Sequence, residues 1–176
     1  MDVARELIGA RLFISGIGGV IVETEAYDAA EPAAHSFMGQ TTRNAALFGP
    51  PGRAYVYLSY GIHWCLNIVC REAGHGAGVL IRAIEPTHGI SRMTARRSQQ
   101  DLRRLCSGPG RLGQALDVTP AMNGQRIDKT PFALLSAEAT CRIVSGPRIG
   151  ISKAVDHAWR FGLFGSRYLS RPFPTA

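Results

Sequence analysis

Two carboxylates and a tyrosine alternate along the segment ETEAY, where Glu23, Glu25 and Tyr27 stand two residues apart. In an extended strand, residues with this spacing project from the same face. Two neighbouring carboxylates raise the cost of ionising both, which is one way to prepare a general base for proton transfer. A solvated strand face gives the same pattern, so the spacing alone leaves both interpretations open.

Tyrosines cluster in a second predicted strand, where Tyr55 and Tyr57 share a face and Tyr60 follows at the turn before Gly61. Flat amphipathic rings are surfaces on which a nucleic-acid base can stack. They also suit the core of a sheet, and that alternative stays open for Tyr55 and Tyr57. An aromatic side chain at the turn is harder to explain by packing, so Tyr60 is the stronger candidate for an exposed contact.

Three further polar residues stand out against apolar or irregular surroundings. Arg82 interrupts the apolar run at 79–84, and a cation in a central strand requires a carboxylate, a phosphate or a reaction centre beside it. A structural Arg–Glu pair would satisfy it equally well. Asn67, in the apolar segment 65–69, is either a satisfied core amide or a residue that discriminates between ligands. His35 lies in an irregular segment without a second metal ligand at a suitable spacing.

The charge balance indicates a polyanionic partner. The 176 residues carry a net charge of +7, and of 20 cationic residues only Lys129 and Lys153 are lysines. Arginine binds phosphate with two hydrogen bonds, although compositional drift alone would also enrich it. Six arginines crowd one helical region in which Asp101 is the sole acid, so this region is either a phosphate-binding surface or a solvated helix face. They are Arg92, Arg96, Arg97, Arg103, Arg104 and Arg111.

Other chemistries are not indicated. The chain contains no GxxxxGK[ST], and neither lysine lies in an apolar strand where a Schiff-base nucleophile would be activated. The four cysteines form no CxxC pair, so a zinc site is not expected. Without an apolar run of ~20 residues or a secretory signal, we expect a soluble cytoplasmic protein with reduced thiols.

The hydrophobic pattern predicts one α+β domain over residues 1–176: a mixed, largely antiparallel, curved β-sheet surrounded by α-helices. Asp2 is the expected cap of a short N-terminal helix, and Ser107 of a later one. Residues 28–51 are expected to form a long functional loop. Strands are expected at 19–27, 53–60, 64–70, 77–84, 132–135, 141–144 and near Phe161, with helices at 89–98, 101–105 and 109–116.

Read in order, the chain resembles the mammalian-type 3-methyladenine (alkyladenine) DNA glycosylase family. Any one matching stretch could arise by chance, but the set covers nearly the whole chain in order and is highly specific. The stretches are IVETEAY (21–27), EPAAHS (31–36), TTRN (41–44), YVYLSYG (55–61), CLNI (65–68), VLIRAIEP (79–86), CSGPGRLGQAL (106–116) and RIGIS (148–152).

The resemblance implies a monofunctional DNA glycosylase of base excision repair. Such an enzyme flips an alkylated or deaminated purine (3-methyladenine, 7-methylguanine, hypoxanthine or ethenoadenine) out of duplex DNA and hydrolyses its N-glycosidic bond. It leaves an abasic site and has no lyase activity. By position, Glu25 matches the general base that activates the attacking water. Arg82 and the backbone carbonyl of Ile151 match the groups that hold this water.

The resemblance also assigns the residues that bind the base. Tyr27, His35 and Tyr57 match the pocket that sandwiches the flipped purine, and Asn67 matches the residue that disfavours the exocyclic amine of guanine. Tyr60 matches the wedge inserted into the gap in the duplex.

DNA-backbone contacts are expected from Arg43 and, in the arginine-rich region, from Arg92, Arg96, Arg97 and Arg111. The implied partner is double-stranded DNA with damaged purines, bound by a monomer without metal or cofactor. A bacterial, nucleoid-associated protein is expected.

The chain departs from the family at a few positions. Ile62 and His63 follow the wedge where a methionine and an aromatic residue are usual, and Ser152 replaces a glycine beside Ile151. Two alternatives remain: a non-catalytic binder of damaged DNA on the same fold, and a nucleoside hydrolase. A pure binder does not require Glu25, and a nucleoside hydrolase requires neither the wedge nor the basic helices.

Overall fold

The computed structural model describes residues 1–174, which form a sheet of eight strands flanked by four α-helices. The strands are β1 (Arg11–Ile14), β2 (Ile17–Tyr27), β3 (Ala54–Ser59), β4 (His63–Cys70), β5 (Ala77–His88), β6 (Phe132–Leu135), β7 (Ile143–Gly146) and β8 (Arg160–Leu163). The helices are α1 (Asp2–Glu6), α2 (Ile90–Arg97), α3 (Leu102–Leu105) and α4 (Pro109–Leu116).

The strands form one curled sheet in the order β3-β4-β5-β2-β1-β6, with β8 paired to β2 and β7 to β8. Every strand pair within residues 1–174 is antiparallel, and the α+β class expected from the sequence is confirmed. The long strand β2 is central because β5 covers one edge, while β1 and β8 share the other. The residues of ETEAY therefore lie in the middle of the sheet.

Irregularities in the β2–β5 ladder bend the sheet where the polar residues lie. The register shifts beside Gly18 and again on both sides of Glu23. A Cβ atom at Gly18 would overlap the carbonyl oxygen of Leu12, so only glycine allows this close approach of β1 and β2. Bulges of this kind re-aim side chains and increase the local twist.

The main core lies between the sheet and helices α2 to α4. Met93, Leu105, Leu112 and Leu116 are fully buried and pack in one cluster with apolar residues of β2, β4 and β5, such as Ile81. Because the opposite face is covered as well, residues 21–26 are buried without alternation. The charged residues of β2 are thus enclosed, which excludes the solvated strand face.

Several predicted boundaries differ from the structure. Strand β1 was not expected. Strand β5 continues past Ile84 to His88. Beyond Leu80 the edge of β5 that faces away from β2 pairs with no strand, so the missing N–H of Pro86 removes no hydrogen bond from that edge. Strand β2 begins two residues earlier than expected, and β7 begins at Ile143 rather than at residue 141.

Both predicted helix caps were wrong. Asp2 is the first residue of α1, and Met1 holds the cap position. Gly108 precedes α4, while the Ser107 hydroxyl accepts a hydrogen bond from the Arg111 side chain instead. Asp101, in contrast, caps α3 by accepting from the backbone N–H of Arg103.

The segment 28–51 is a series of turns and one 3-10 helix (Ala45–Phe48), held in place by its own side chains. The Asn44 amide donates to the carbonyls of His35 and Gly39, at 2.9 and 3.1 Å. The Ser36 hydroxyl donates to the carbonyl of Gly76 at 2.5 Å, which fixes the segment to the start of β5. These bonds give His35 a defined position over the sheet.

No helix within residues 1–174 combines the length and the apolar character that crossing a membrane requires. The structure leaves all four cysteines free, with Cys65 and Cys106 buried.

Candidate active site

A cavity of about 1130 Å³ opens between the sheet and the segment 28–51. Its lining brings together residues that are far apart in the sequence: Tyr27, His35, Tyr57, Tyr60, Asn67, Arg82 and Ile151 all contribute to its wall or rim. Arg43 also lies on this wall. The residues that the sequence nominated for base binding thus surround one space.

Glu25 lies beneath the wall of this cavity and is fully buried. Its Oε2 accepts hydrogen bonds from the Tyr27 hydroxyl at 2.9 Å and from Nη1 of Arg82 at 3.2 Å. Its Oε1 accepts from the backbone N–H of Ile149 at 2.7 Å. Two carboxylate oxygens can accept about four hydrogen bonds, so these three donors orient the group and leave acceptor capacity for one more.

Tyr27 remains a proton donor to Glu25. Burial, and then the negative charge of Glu25, raise the pKa of the Tyr27 hydroxyl far above its ordinary value. Behind the ring, the guanidinium carbon of Arg148 lies 4.6 Å from the Tyr27 centroid. Arg148 in turn forms a bidentate pair with Glu31, at 2.6 and 2.9 Å. The orientation of Tyr27 is therefore fixed from both sides.

The pair Glu31–Arg148 is buried and was missed by the sequence reasoning. Both residues lie in stretches that support the family resemblance, EPAAHS and RIGIS, but the sequence suggested no partner for either. Arg148 also donates to the carbonyl of Ala26 at 2.9 Å, so this one side chain joins β2, the segment 28–51 and the segment before β8. Burial of a paired guanidinium and carboxylate there is a structural contribution to the pocket.

Three aromatic rings form one side of the pocket. Tyr55 and Tyr57 stack at a centroid distance of 5.5 Å and an interplanar angle of 25°. His35 meets Tyr57 edge-on at 4.5 Å, and its Nδ1 lies 3.0 Å from the Tyr55 hydroxyl. The predicted face shared by the two tyrosines is confirmed. Ring stacking and a polar edge together suit a flat heterocycle.

These rings stay uncharged near neutral pH. Burial, and then the positive charge of Arg43, lower the pKa of the His35 imidazole. Burial raises the pKa of Tyr55 to about 12 and raises that of Tyr57 as well. A cationic or neutral base therefore meets no competing positive charge from His35.

Asn67 and the second carboxylate are held by internal bonds. Nδ2 of Asn67 donates to the carbonyl of Tyr55 at 3.2 Å, so the amide is fixed on the pocket wall rather than free. Glu23 is fully buried and accepts from Nε of Arg82 at 3.2 Å and from Nε of Arg160 at 2.7 Å. Arg82 thus lies between Glu23 and Glu25, so the two carboxylates do not face each other uncompensated.

Tyr60 lies at the rim in an unusual backbone conformation. Its side chain is 85% exposed, and its φ of 51° is left-handed, as is the 69° of Gly61. Ile62 N–H donates to the Ser59 carbonyl at 3.0 Å, which closes a tight turn between β3 and β4. Two successive left-handed residues fit the twist of a hairpin, although an aromatic residue occupies that region only with strain.

The predicted phosphate-contacting arginines fall into two groups. Arg96 donates to the Ala115 carbonyl and to Asp117, and Arg97 donates to Leu105 and Gln114, so both join α2 to its neighbours. In contrast, Arg92, Arg103, Arg104 and Arg111 are exposed. The Arg111 side chain nevertheless donates to Ser107. Phosphate contacts remain a prediction for this region.

The segment after β7 contributes to the site in a way that the sequence did not suggest. Ile151 lines the cavity, whereas the contact with Glu25 comes from the N–H of Ile149. Lys153 also lines the cavity, although no sequence pattern indicated a role for it there. Within residues 1–174, no group of three or more His, Cys, Asp or Glu side chains could hold a metal ion.

Comparison with known proteins assigns the chain to a family. Residues 1–167 match the model of the methylpurine-DNA glycosylase family. A protein of Rhodopseudomonas palustris (strain BisB18) is 62% identical over 172 residues, which cover 98% of this chain and 86% of that protein. One from Nitrosospira multiformis is 62% identical over 173 residues, covering 98% and 90%, and one from Rhizobium meliloti is 53% identical over 173 residues, covering 98% and 92%.

Each of these relatives carries the name "Putative 3-methyladenine DNA glycosylase". The protein is therefore a DNA glycosylase that acts in DNA repair. The chain belongs to the methylpurine-DNA glycosylase family, as the motifs from IVETEAY to RIGIS predicted.

Proposed function

We propose that this protein extrudes damaged purines from duplex DNA and hydrolyses their N-glycosidic bond with a water activated by Glu25. The observation that carries the proposal is a fully buried carboxylate behind a pocket of aromatic rings, with three donors to orient it. A protein that only binds distorted DNA has no use for such a group. Taking a base out of the stack is the general solution for chemistry on its glycosidic bond.

The remaining acceptor capacity of Glu25 is what proton transfer requires. Tyr27, Arg82 and Ile149 fix the carboxylate, and a water placed against it would lose a proton to the free acceptor position as it attacks C1′. Arg82 and the Ile151 carbonyl would hold that water from the other sides. The negative charge of Glu25 also offsets the positive charge that develops on the sugar in an oxocarbenium-like transition state.

The charge of the leaving base determines whether its departure also requires protonation by an acid. Alkylation at N3 or N7 makes the purine cationic, so it departs without prior protonation, and the neutral rings of His35 and Tyr57 accept it without repulsion. Hypoxanthine and ethenoadenine are neutral and require protonation as well. Because burial lowers the pKa of His35, less of its imidazolium form is present near neutral pH to donate that proton.

Recognition is proposed to come from three places. Tyr27, His35 and Tyr57 would sandwich the flipped base, and Asn67 would exclude the exocyclic amine of guanine, because its amide is fixed by the Tyr55 carbonyl and cannot move aside. Tyr60, already exposed at the rim, would fill the gap in the duplex.

The product is proposed to be an intact abasic site. A lyase requires an amine nucleophile, and Lys153 lies exposed at the cavity rather than enclosed beside Glu25. A solvated ammonium is a weak nucleophile, since activation needs desolvation or a neighbouring cation. Strands that carry the product should therefore break only after treatment with alkali.

Single-turnover excision from a panel of duplexes tests the proposal. Purified protein in EDTA is mixed with DNA containing 3-methyladenine, 7-methylguanine, hypoxanthine or ethenoadenine. We expect excision of one or more, and Glu25→Gln should slow it by ~100-fold or more while lesion binding persists. Glu138→Gln, on an exposed carboxylate paired with Arg11, is the matched control and should react like the wild type.

Two results would contradict the assignment. Wild-type rates in Glu25→Gln would exclude Glu25 as the base, and failure of the wild type on every lesion would favour the binding protein.

In the same panel, Asn67→Ala should increase excision of guanine lesions relative to adenine lesions. An unchanged lesion profile would contradict the role given to Asn67.

A further inference from the structure

Glu23 is the second buried carboxylate of β2, and its hydrogen-bonding capacity is used within the protein. Arg82 and Arg160 each donate from Nε to its Oε1, at 3.2 and 2.7 Å. Ser170 donates its hydroxyl to the same oxygen at 2.7 Å and its backbone N–H to Oε2. A carboxylate so occupied does not take a proton from a reacting water, so its contribution must come through its partners.

The partner that matters for the site is Arg82, because this side chain touches three groups at once. Its Nε faces Glu23, its Nη1 donates to Glu25 at 3.2 Å, and its Nη2 donates to the Ser170 hydroxyl at 3.4 Å. A guanidinium is planar with donors in fixed directions. Contacts at Nε and Nη2 therefore decide where Nη1 points, and Nη1 is the end that meets Glu25.

Ser170 belongs to a segment that closes over this network, here called the C-terminal strap (residues 169–174). The guanidinium of Arg160 holds it by donating to the carbonyls of Arg171 and Pro172 and by lying 3.9 Å from the ring centroid of Phe173. That ring packs against Gly162 so closely that a Cβ atom there would overlap it. The strap follows the residues matched by the family model, which end at 167.

We propose that Glu23 and Ser170 are positioning residues for hydrolysis, which fix the guanidinium of Arg82 toward Glu25 and the attacking water. The proposal rests on the function proposed above. Glu23 compensates part of the charge of Arg82, so Arg82 need not form a bidentate pair with Glu25 and thereby occupy its last acceptor position. Ser170 fixes the outer nitrogen, and rotation of the guanidinium plane is then blocked from both sides. A displacement of the guanidinium by less than the length of one of its C–N bonds is enough to slow the reaction.

The sharpest variant is Ser170→Ala, because it removes one hydroxyl and leaves the backbone bond to Glu23 in place. We expect the single-turnover excision rate to fall about 5- to 10-fold, the effect of one ordinary hydrogen bond, with unchanged affinity for the lesion duplex. Ser170→Thr, which keeps a hydroxyl, should recover most of the rate. Ser166→Ala is the control in the neighbouring turn and should react like the wild type, because within residues 1–174 the Ser166 hydroxyl bonds only to the Tyr168 N–H.

A double-mutant cycle separates positioning from a general loosening of the fold. If Ser170 acts through Arg82, Ser170→Ala should have no further effect on the rate in an Arg82→Ala background. Glu23→Gln should also have no further effect in the Arg82→Ala background, and alone it should lower the excision rate more than Ser170→Ala does. If Glu23→Gln does not fold, Ser170→Ala still tests the proposal.

Three results would overturn the proposal: wild-type rates in Ser170→Ala, an equal loss in both backgrounds, or a loss of lesion affinity that accounts for the whole effect. A wild-type protein that excises no lesion would instead refute the proposed function, so the two failures are distinguishable.

Discussion

The floor of the pocket (Glu23, Glu25 and Arg82) and the Tyr60 turn at its rim are built in opposite ways. At the floor, Glu23, Glu25 and Arg82 are buried, and each carboxylate accepts a hydrogen bond from Arg82 at 3.2 Å. Arg160 and the backbone N–H of Ile149 each add a bond of 2.7 Å. At the turn, Tyr60 is 85% exposed, and its backbone has a left-handed φ of 51°. The floor is complete in the free protein, whereas the turn presents an unpartnered ring in an unfavourable conformation.

This difference corresponds to two separate tasks. Charges that act on a transition state are most effective when they are oriented before the substrate arrives, because no reorganisation is then needed during the reaction. A side chain that fills a gap in DNA must instead remain exposed until the gap exists. Local strain at such a position persists only when the surrounding structure enforces it, and here the ladder between β3 and β4 does so.

The largest effect is expected from removing a charge beneath the pocket. Glu31→Gln keeps the shape of the side chain but leaves the buried guanidinium of Arg148 without its anion. We expect the free energy of unfolding to fall by about 3–5 kcal/mol, measured by urea denaturation. The exposed pair Arg126–Asp128 has equally short bonds, at 2.6 and 2.9 Å, and is the matched control. Asp128→Asn should leave the denaturation midpoint nearly unchanged, and an equal loss in both variants would refute the contrast between the buried and the exposed pair.

An intermediate effect is expected at the turn, and on binding rather than on stability. Tyr60→Asn removes the ring and installs a residue that tolerates left-handed φ. Affinity for a lesion duplex should fall by roughly 10- to 100-fold, the range for loss of one stacked base, while the free energy of unfolding stays equal or rises. Fluorescence anisotropy and urea denaturation measure the two quantities. Tyr60→Phe should bind like the wild type. Unchanged affinity in Tyr60→Asn would exclude Tyr60 as the wedge.

The smallest effect is expected from single arginines on the helices. Arg92 is exposed and makes no ion pair within residues 1–174, whereas Arg96 donates to Ala115 and Asp117. If Arg92 meets a phosphate, Arg92→Ala should reduce the slope of log affinity against log salt concentration by about 1, because one fewer counterion is released. Arg96→Ala should leave the slope unchanged and lower the melting temperature. If Arg96→Ala instead lowered the slope and Arg92→Ala did not, the phosphate contact would belong to Arg96 rather than to Arg92.

The sequence predicted local arrangements well, because strand geometry alone dictates them. Alternation placed Glu23, Glu25 and Tyr27 on one face, and the structure joins all three through Arg82 and the bond from Tyr27 to Glu25. The same rule placed Tyr55 beside Tyr57. An arginine in an apolar strand was expected to need a carboxylate, a phosphate or a reaction centre beside it, and Arg82 has two carboxylate partners.

Contacts between distant segments could not be predicted in this way. Nothing local connects Glu31 to Arg148, which lies 117 positions further along, or Ile149 to Glu25, 124 positions away. The continuation of β5 through Pro86 was missed because the tolerance for proline depends on which edges of the strand are paired, and that depends on the whole sheet. The Ser107 cap failed for a local reason, because its hydroxyl accepts a hydrogen bond from the side chain of Arg111, four positions along the chain.

The partners of Glu23 lie 59, 137 and 147 positions along the chain, in β5, β8 and the strap. During synthesis, β2 leaves the ribosome long before Ser170 does, so for most of that time Glu23 lacks the groups that make its burial tolerable. The buried centre of the sheet therefore gains its full set of hydrogen bonds only after β8 and the strap have been made.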